Sequence, residues 1–144
     1  MAIRRAVAAV LCAIIGASAG SAEQRKLREV YEVVRRAQEA ALEAAAPGIG
    51  GEGLDRVARE LIEEAGYGDR FGHGLGHGVG LEVHEAPRVS PRSEDVLQAG
   101  EVVTIEPGVY LPGELGVRIE DLVALRDGGV DNMSGLPKDL TIVD

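Results

Sequence analysis

The chain has 144 residues, 45% of them hydrophobic, which is enough for one domain with a buried core and too few for two. Aromatic residues make up only 3% and Trp is absent, so aliphatic side chains must supply the packing of an α/β or α+β core. The formal net charge is −9, from 24 acidic and 15 basic residues. Because this charge repels polyanions and no basic stripe offsets it, nucleic acid is excluded as a partner. The acidic surplus is either a solvated surface or a set of carboxylates that converge on a cation.

The N-terminal segment Met1–Ala22 has the layout of a secretory signal. Arg4 and Arg5 precede an apolar run, Ala6–Ile15, and small residues follow it. The run is shorter than the roughly 20 apolar residues that a membrane span needs. The alternative is that this segment is not native to the domain and comes from a misassigned start or a shifted reading frame. Either interpretation places it outside the fold and leaves one domain over residues 23–144.

Two amphipathic helices are predicted at the start of this domain. Apolar residues recur at three- and four-residue steps from Leu27 to Ala45, with a capping-box candidate at Ser21–Gln24 and a stop at Pro47–Gly48. The second helix is predicted over Leu54–Ala65. The helical period is absent after Gly68.

Short β-like runs follow the helices. The predicted strands are Val79–His84, Val102–Ile105, Val117–Leu125 and Leu140–Val143. The Pro- and Gly-rich segments predicted as loops are Ala86–Gly100, Pro107–Gly116 and Asp127–Lys138. Two helices followed by a run of strands indicate an α+β fold rather than alternating βαβ units.

All three histidines lie within twelve residues, in the Gly-dense run Gly72–His84. Glycines on both sides of His73 and His77 allow backbone and substrate to approach closely. The run lacks the dinucleotide-binding glycine spacing, a phosphate loop, the H-E-x-x-H zinc motif and a serine nucleophile elbow. Metal binding and histidine acid–base chemistry remain.

Two carboxylates are candidates to join these histidines. Glu106 ends an apolar strand, and strand alternation puts Arg118 and Glu120 on one face with Val117 and Ile119 on the other. A carboxylate among apolar neighbours is unfavourable unless it is paired or metal-bound. The alternatives are an ion pair with a nearby Arg for Glu120 and a solvated strand end for Glu106. One His and two Glu suit Mn, Fe, Co or Zn, and spacing does not choose among them.

His77 and His84 do not meet on a straight strand. Seven residues of extended chain would separate them by about 23 Å and put them on opposite faces. A bend at Gly78 or Gly80 is required to bring both to one site.

The segment 71–121 resembles the pita-bread metallopeptidases, in the branch of Xaa-Pro aminopeptidase and Xaa-Pro dipeptidase (prolidase). The matching strings are His73–Glu85, Thr104–Tyr110 and Gly116–Asp121, in that order. The helices from about Glu23 onward are also similar. The resemblance implies the C-terminal half of a pita-bread fold, with two helices packed on a curved, mainly antiparallel sheet.

The resemblance also implies a site. His77, Glu106 and Glu120 match three of the five ligands of a two-metal centre that usually holds manganese or cobalt, and Glu120 would bridge the ions. His84 matches a histidine that contacts substrate and moves protons, and His73 matches one that lines the substrate pocket. The implied reaction is attack of a metal-activated water on the bond before proline.

Two further points follow from the resemblance. Arg118 matches an arginine beside the site, which we treat as substrate-binding. The implied substrates are short proline-containing peptides, and the implied location is cytoplasmic, or secreted if Met1–Ala22 is a genuine signal. No membrane span is expected, and assembly into a homo-oligomer is left open.

The sequence departs from the family at its N-terminal end. The family supplies two Asp ligands from strands before the first helix, whereas Met1–Ala22 contains no acidic residue and the first is Glu23. One or no metal ion per chain is therefore an alternative to two. The leading hypothesis is a metal-dependent Xaa-Pro peptidase. The alternatives are a non-catalytic remnant or binding module with an incomplete metal site, and a purely structural role for these residues.

Overall fold

The computed structural model describes residues 22–141. The predicted helix cap at Ser21 lies outside this range. The predicted N-terminal segment Met1–Ala22 lies outside it except for Ala22. Helix α1 spans Ala22–Ala44 and helix α2 spans Gly51–Glu64. No helix in this range is both long and apolar enough to cross a membrane.

The face predicted for α1 is the buried one. Its members are Leu27, Val30, Tyr31, Val34, Ala37, Ala41 and Ala45. Helix α2 begins three residues earlier than predicted, because Gly51 and Gly53 carry no side chains to extend the apolar period. Gly51 is required there, since a Cβ would lie 2.1 Å from the carbonyl oxygen of Arg88. Gly66, with φ +85°, follows the end of α2 in a conformation that favours glycine.

Within the described residues, seven strands form two antiparallel sheets. They are β1 (Gly76–Gly78), β2 (Glu85–Val89), β3 (Val102–Ile105), β4 (Gly108–Leu111), β5 (Leu115–Arg118), β6 (Asp121–Arg126) and β7 (Gly129–Asn132). The larger sheet has the order β2-β1-β3-β6-β7, and β4 pairs with β5 in a separate hairpin. Helix α1 packs along α2 and against β3, β4, β5 and β7, and the core lies between these layers. The α+β prediction is confirmed.

Among the predicted strands, only Val102–Ile105 coincides with one strand of the described residues. Val102–Ile105 is β3, whereas Val79–His84 is a turn between β1 and β2. The predicted strand Val117–Leu125 breaks at residues 119–120, and its two parts, β5 and β6, belong to different sheets. Leu140 lies in no strand, and Val143 is outside the described residues.

The three predicted loops also contain strands. All of β2 except Glu85 lies in Ala86–Gly100, β4 and the start of β5 lie in Pro107–Gly116, and β7 lies in Asp127–Lys138. These strands are short, and their Gly and Pro content hides the alternation of side chains. The turn before β7 is the dipeptide Asp127–Gly128, with Gly128 at φ +87°, a hairpin signal within a segment that was predicted as a loop.

Candidate metal centre

One open pocket of about 430 Å³ gathers most of the predicted site residues. It is lined by His73, Gly74, Gly76, His77, His84, Arg88, Ser90, Glu106 and Arg118. These residues come from β1 and the segment before it, the turn and strand that follow, and the ends of β3 and β5. Glu120 is not among these lining residues, and its Oε2 lies 4.0 Å from Arg118 Nε.

The required bend between His77 and His84 is present. Strand β1 pairs with β2 at His77↔Arg88 and then jumps in register to Gly78↔Glu85. The centroids of the two imidazole rings are consequently 4.3 Å apart. The turn closes where the Glu85 carboxylate accepts a hydrogen bond of 3.1 Å from the backbone N–H of Glu82. His84 and the rest of the turn tip are exposed.

His77 and Glu106 face each other closely at the pocket wall. His77 Nδ1 lies 3.0 Å from the carbonyl oxygen of Gly78, and because a carbonyl only accepts, this nitrogen carries the hydrogen. In the neutral ring Nε2 then presents its lone pair to Glu106 Oε1, 3.1 Å away. A lone pair and a carboxylate at this distance need a proton or a cation between them.

Thr104 fixes both members of this pair. Its hydroxyl accepts a hydrogen bond of 3.1 Å from the backbone N–H of His77 and donates one of 2.8 Å to Glu106 Oε1. Thr104 is buried in β3, two residues before Glu106. No role was predicted for Thr104 from the sequence, although strand alternation places residues i and i+2 on one face and so pairs it with Glu106.

Arg118 lies between the two candidate carboxylates. Its Nε is 3.9 Å from Glu106 Oε2 and 4.0 Å from Glu120 Oε2, beyond hydrogen-bonding distance in both cases. This atom is buried without a hydrogen-bond partner in the described residues. The neighbouring side chains Val117 and Ile119 point into the core, as strand alternation predicted.

The carboxyl group of Glu120 is electrostatically unfavourable where it lies. Burial raises its pKa above the ordinary value, and the negative charge of Glu106 raises it further. Arg118 and His77 lower the pKa of Glu120, but they do not cancel this rise. Two carboxylates with incomplete compensation are a donor set that favours an additional cation.

Tyr110 contacts the pocket residue His73, and no role was predicted for it from the sequence. Because His73 Nδ1 lies 2.8 Å from the carbonyl oxygen of Gly74 and carries the hydrogen, Nε2 accepts a 3.0 Å hydrogen bond from the Tyr110 hydroxyl. Gly108 and Gly116 make room for Tyr110. A Cβ at Gly108 would lie 2.7 Å from the Tyr110 hydroxyl oxygen, and one at Gly116 would lie 3.1 Å from a carbon of its ring. The sequence feature that could have identified Tyr110 is its position between two glycines of a hairpin.

The donor chemistry of this wall fits a divalent cation, but the ligand geometry is incomplete. Within residues 22–141 no group of three or more His, Cys, Asp or Glu side chains is arranged to hold a metal. His77 and Glu106 form a close pair, and Arg118 Nε lies 3.9 Å from Glu106 Oε2 and 4.0 Å from Glu120 Oε2. The three-ligand set therefore stays a prediction.

Comparisons with known proteins agree on one family. The family model for metallopeptidase family M24 matches residues 9–127. The Xaa-Pro dipeptidase of Pyrococcus furiosus is 53% identical over 115 residues, which cover 80% of this chain and 33% of that protein. The Xaa-Pro dipeptidase of Lactobacillus helveticus is 51% identical over 118 residues, covering 82% of this chain and 32% of the relative.

Solved structures give the same result. The prolidase from Pyrococcus furiosus matches with a TM-score of 0.77 and 54% identity, covering 78% of this chain and 33% of that one. The X-Pro aminopeptidase from Thermotoga maritima matches with a TM-score of 0.79 and 48% identity, covering 82% and 34%. The chain thus spans about a third of the length of these relatives, in the C-terminal, pita-bread part of the fold. On the family match and this shared fold, the chain belongs to metallopeptidase family M24.

Proposed function

We propose that this chain carries the metal-binding part of a peptidase that hydrolyses Xaa-Pro bonds, with His77, Glu106 and Glu120 as metal ligands. The observation that carries the proposal is the 3.1 Å approach of His77 Nε2 to Glu106 Oε1 while His77 Nδ1 is committed to a carbonyl. A ligating histidine typically has its second nitrogen held in this way. The substrate class is taken from the relatives named Xaa-Pro dipeptidase. By the same resemblance we propose a cytoplasmic location, or secretion if Met1–Ala22 is a signal.

A bound divalent cation, for which manganese and cobalt are the proposed candidates, supplies the Lewis acidity that activates water for attack on a peptide carbonyl. The residues of this chain orient that chemistry. Thr104 holds the Glu106 carboxylate through a hydrogen bond, so that one oxygen stays directed at His77. His84 is exposed beside His77 and is free to contact a peptide and to take up or release a proton.

His73 and Arg118 are the proposed substrate contacts on the remaining walls. The Tyr110 hydroxyl and the Gly74 carbonyl hold both nitrogens of His73, which fixes the ring at the edge of the pocket. Although its Nε is buried without a hydrogen-bond partner in the described residues, the Arg118 side chain is 36% exposed and carries further guanidinium N–H donors. A donor of this kind suits a carbonyl or carboxylate oxygen of the peptide.

The alternative is a non-catalytic module with an incomplete site. It is favoured by the position of Arg118 between Glu106 and Glu120, where its charge partly replaces that of a cation. On this interpretation the chain binds at most one ion and cleaves no peptide.

Metal titration and peptide hydrolysis on the same protein separate these functions. The protein is titrated calorimetrically with Mn²⁺ and Co²⁺, and hydrolysis of Ala-Pro and Ala-Pro-Ala is followed in parallel. Two ions and turnover support the peptidase, and one ion or none without turnover supports the module.

The proposed ligands are tested by His77→Ala and Glu106→Gln. Each variant is expected to lose at least about tenfold in metal affinity, the scale of effect seen when groups supporting a metal site are removed. Glu114→Gln, an exposed glutamate in the turn between β4 and β5, is the matched control and should bind as the wild type does. Equal affinity of His77→Ala and wild type would refute the ligand set.

A further inference from the structure

An ion pair on α2 reaches the segment that carries His73. Arg59 donates to Asp55 through Nε at 2.8 Å and through Nη2 at 3.1 Å, in the two-pronged geometry that suits a carboxylate. Asp55 is only 1% exposed. A buried pair of this kind persists only when its remaining hydrogen-bonding capacity is also used.

The remaining hydrogen-bonding groups of Arg59 and Asp55 bind the backbone around His73. Arg59 Nη1 donates to the carbonyl oxygen of Phe71 at 2.9 Å, and Nη2 donates to that of His73 at 2.8 Å. Asp55 Oδ1 accepts a 2.9 Å hydrogen bond from the backbone N–H of Leu75. The pair therefore holds the chain at, before and after His73.

The segment 71–75 belongs to no strand, so sheet pairing does not fix its path. On its other side it is tightly confined at Gly74, because a Cβ there would lie 2.8 Å from the carbonyl oxygen of Val89. The Arg59 guanidinium also stacks over the Phe71 ring at 4.1 Å. Phe71 in turn meets the His73 ring edge-on, with centroids 5.1 Å apart.

We propose that Asp55 and Arg59 are positioning residues that set the orientation and tautomer of the His73 imidazole in the pocket. They touch neither the pocket's candidate ligands nor the ring itself, and they act through the backbone of residues 71–75 and through Phe71. A small movement of this backbone would break the hydrogen bond from His73 Nδ1 to Gly74 or the one that Nε2 accepts from Tyr110. The importance of His73 for a substrate rests on the proposed function, whereas its orientation by this pair does not.

The test uses the imidazole nitrogen resonances of metal-free protein at about pH 8.5, where histidines at their ordinary pKa are neutral. The chain has only three histidines, and His73→Gln assigns the signals of interest. The wild type is expected to show His73 as the Nδ1–H tautomer alone. Arg59→Met is expected to lose this single-tautomer pattern, while the His77 and His84 signals keep their positions.

The control is Arg56→Met on the same helix, where the arginine side chain is 63% exposed, which should leave all three histidines unchanged. Arg59→Lys keeps the charge, loses the planar fork and serves if Arg59→Met does not fold; it too should alter only His73. An unchanged His73 spectrum in a folded Arg59 variant would overturn the proposal, as would equal shifts of all three histidines. Because neither metal nor turnover enters this measurement, its outcome is separate from that of the proposed peptidase activity.

Discussion

At the scale of a single residue, the fold changes the pKa of the Glu120 carboxyl group. Its pKa is raised first by burial and then by the charge of Glu106. The folded protein therefore binds this proton more tightly than the unfolded chain does. Stability falls as pH rises from the ordinary glutamate range through the raised value, and it stays reduced at higher pH.

Glu120→Gln removes this dependence. In the presence of a chelator the variant should be more stable than the wild type at neutral pH, and the two should converge in acid, where the wild-type group is protonated and neutral. Urea unfolding between pH 4 and pH 8 measures the difference. Glu114→Gln, at an exposed site without this burial, is the control and should follow the wild type. Parallel profiles for Glu120→Gln and wild type would show that the carboxylate is compensated by other means.

The site residues that could be predicted from the sequence are those whose residue type or position is unusual in this chain. The three histidines occur in one run, and Glu106 follows a strand in which three of the four residues are apolar. Thr104 and Tyr110 carry residue types that are common in any strand, so only their contacts with His77, Glu106 and His73 distinguish them. The position of Arg118 between two carboxylates depends on the meeting of β3 and β5, which spacing alone does not give.

At the scale of the element, β1 is confined between β2 and β3. A Cβ at Gly76 would lie 1.9 Å from the backbone oxygen of Thr104, and a backbone atom cannot rotate away. Gly76→Ala should therefore lower the free energy of unfolding by about 3 kcal/mol, at the upper end of typical overpacking effects.

Gly72→Ala is the comparison for this change. The position before the His run has open space around it, with nothing within 4 Å of an added Cβ. Its unfolding free energy in urea should differ from the wild type by about 0.5 kcal/mol or less. Equal stability of both alanine variants would mean that β1 can move away from β3.

Helices and strands differ in how well the local sequence pattern predicts them. Both helices were predicted because the 3.6-residue period survives in the sequence, and α2 was shortened only where glycine replaces side chains. Strands β2, β4 and β7 were missed because four or five residues with Gly or Pro give no alternation to detect. The break at residues 119–120 follows from pairing with two different sheets, which is a long-range property.

At the scale of the whole molecule, the turn after β1 lies outside the core. Leu81 is 105% exposed and Val83 is 72% exposed, although both are aliphatic and close to the pocket. The double variant Leu81→Ser/Val83→Ser should change the free energy of unfolding by about 0.5 kcal/mol or less. Leu75→Ala, at a fully buried leucine of the same run, should lose about 2–5 kcal/mol. Urea unfolding of both compares them, and a large loss in the double variant would show that the turn packs against the domain.

The overall class was predicted, whereas the topology was not. Two helical patterns followed by β-like runs are enough to indicate α+β. The order β2-β1-β3-β6-β7 and the separate β4–β5 hairpin depend on which strands exchange hydrogen bonds. Of the seven strands in residues 22–141, the strand predictions merged two and omitted four.

The contact between Tyr110 and His73 also gives the protein an optical reporter. The chain has no tryptophan to mask tyrosine emission, and its other tyrosines, Tyr31 and Tyr67, are buried away from the pocket. Replacing those two with phenylalanine would leave a single fluorophore whose hydroxyl is bonded to a pocket imidazole. A cation or peptide that disturbs His73 would then change the tyrosine emission of the unlabelled protein, so that binding in the pocket could be measured by fluorescence.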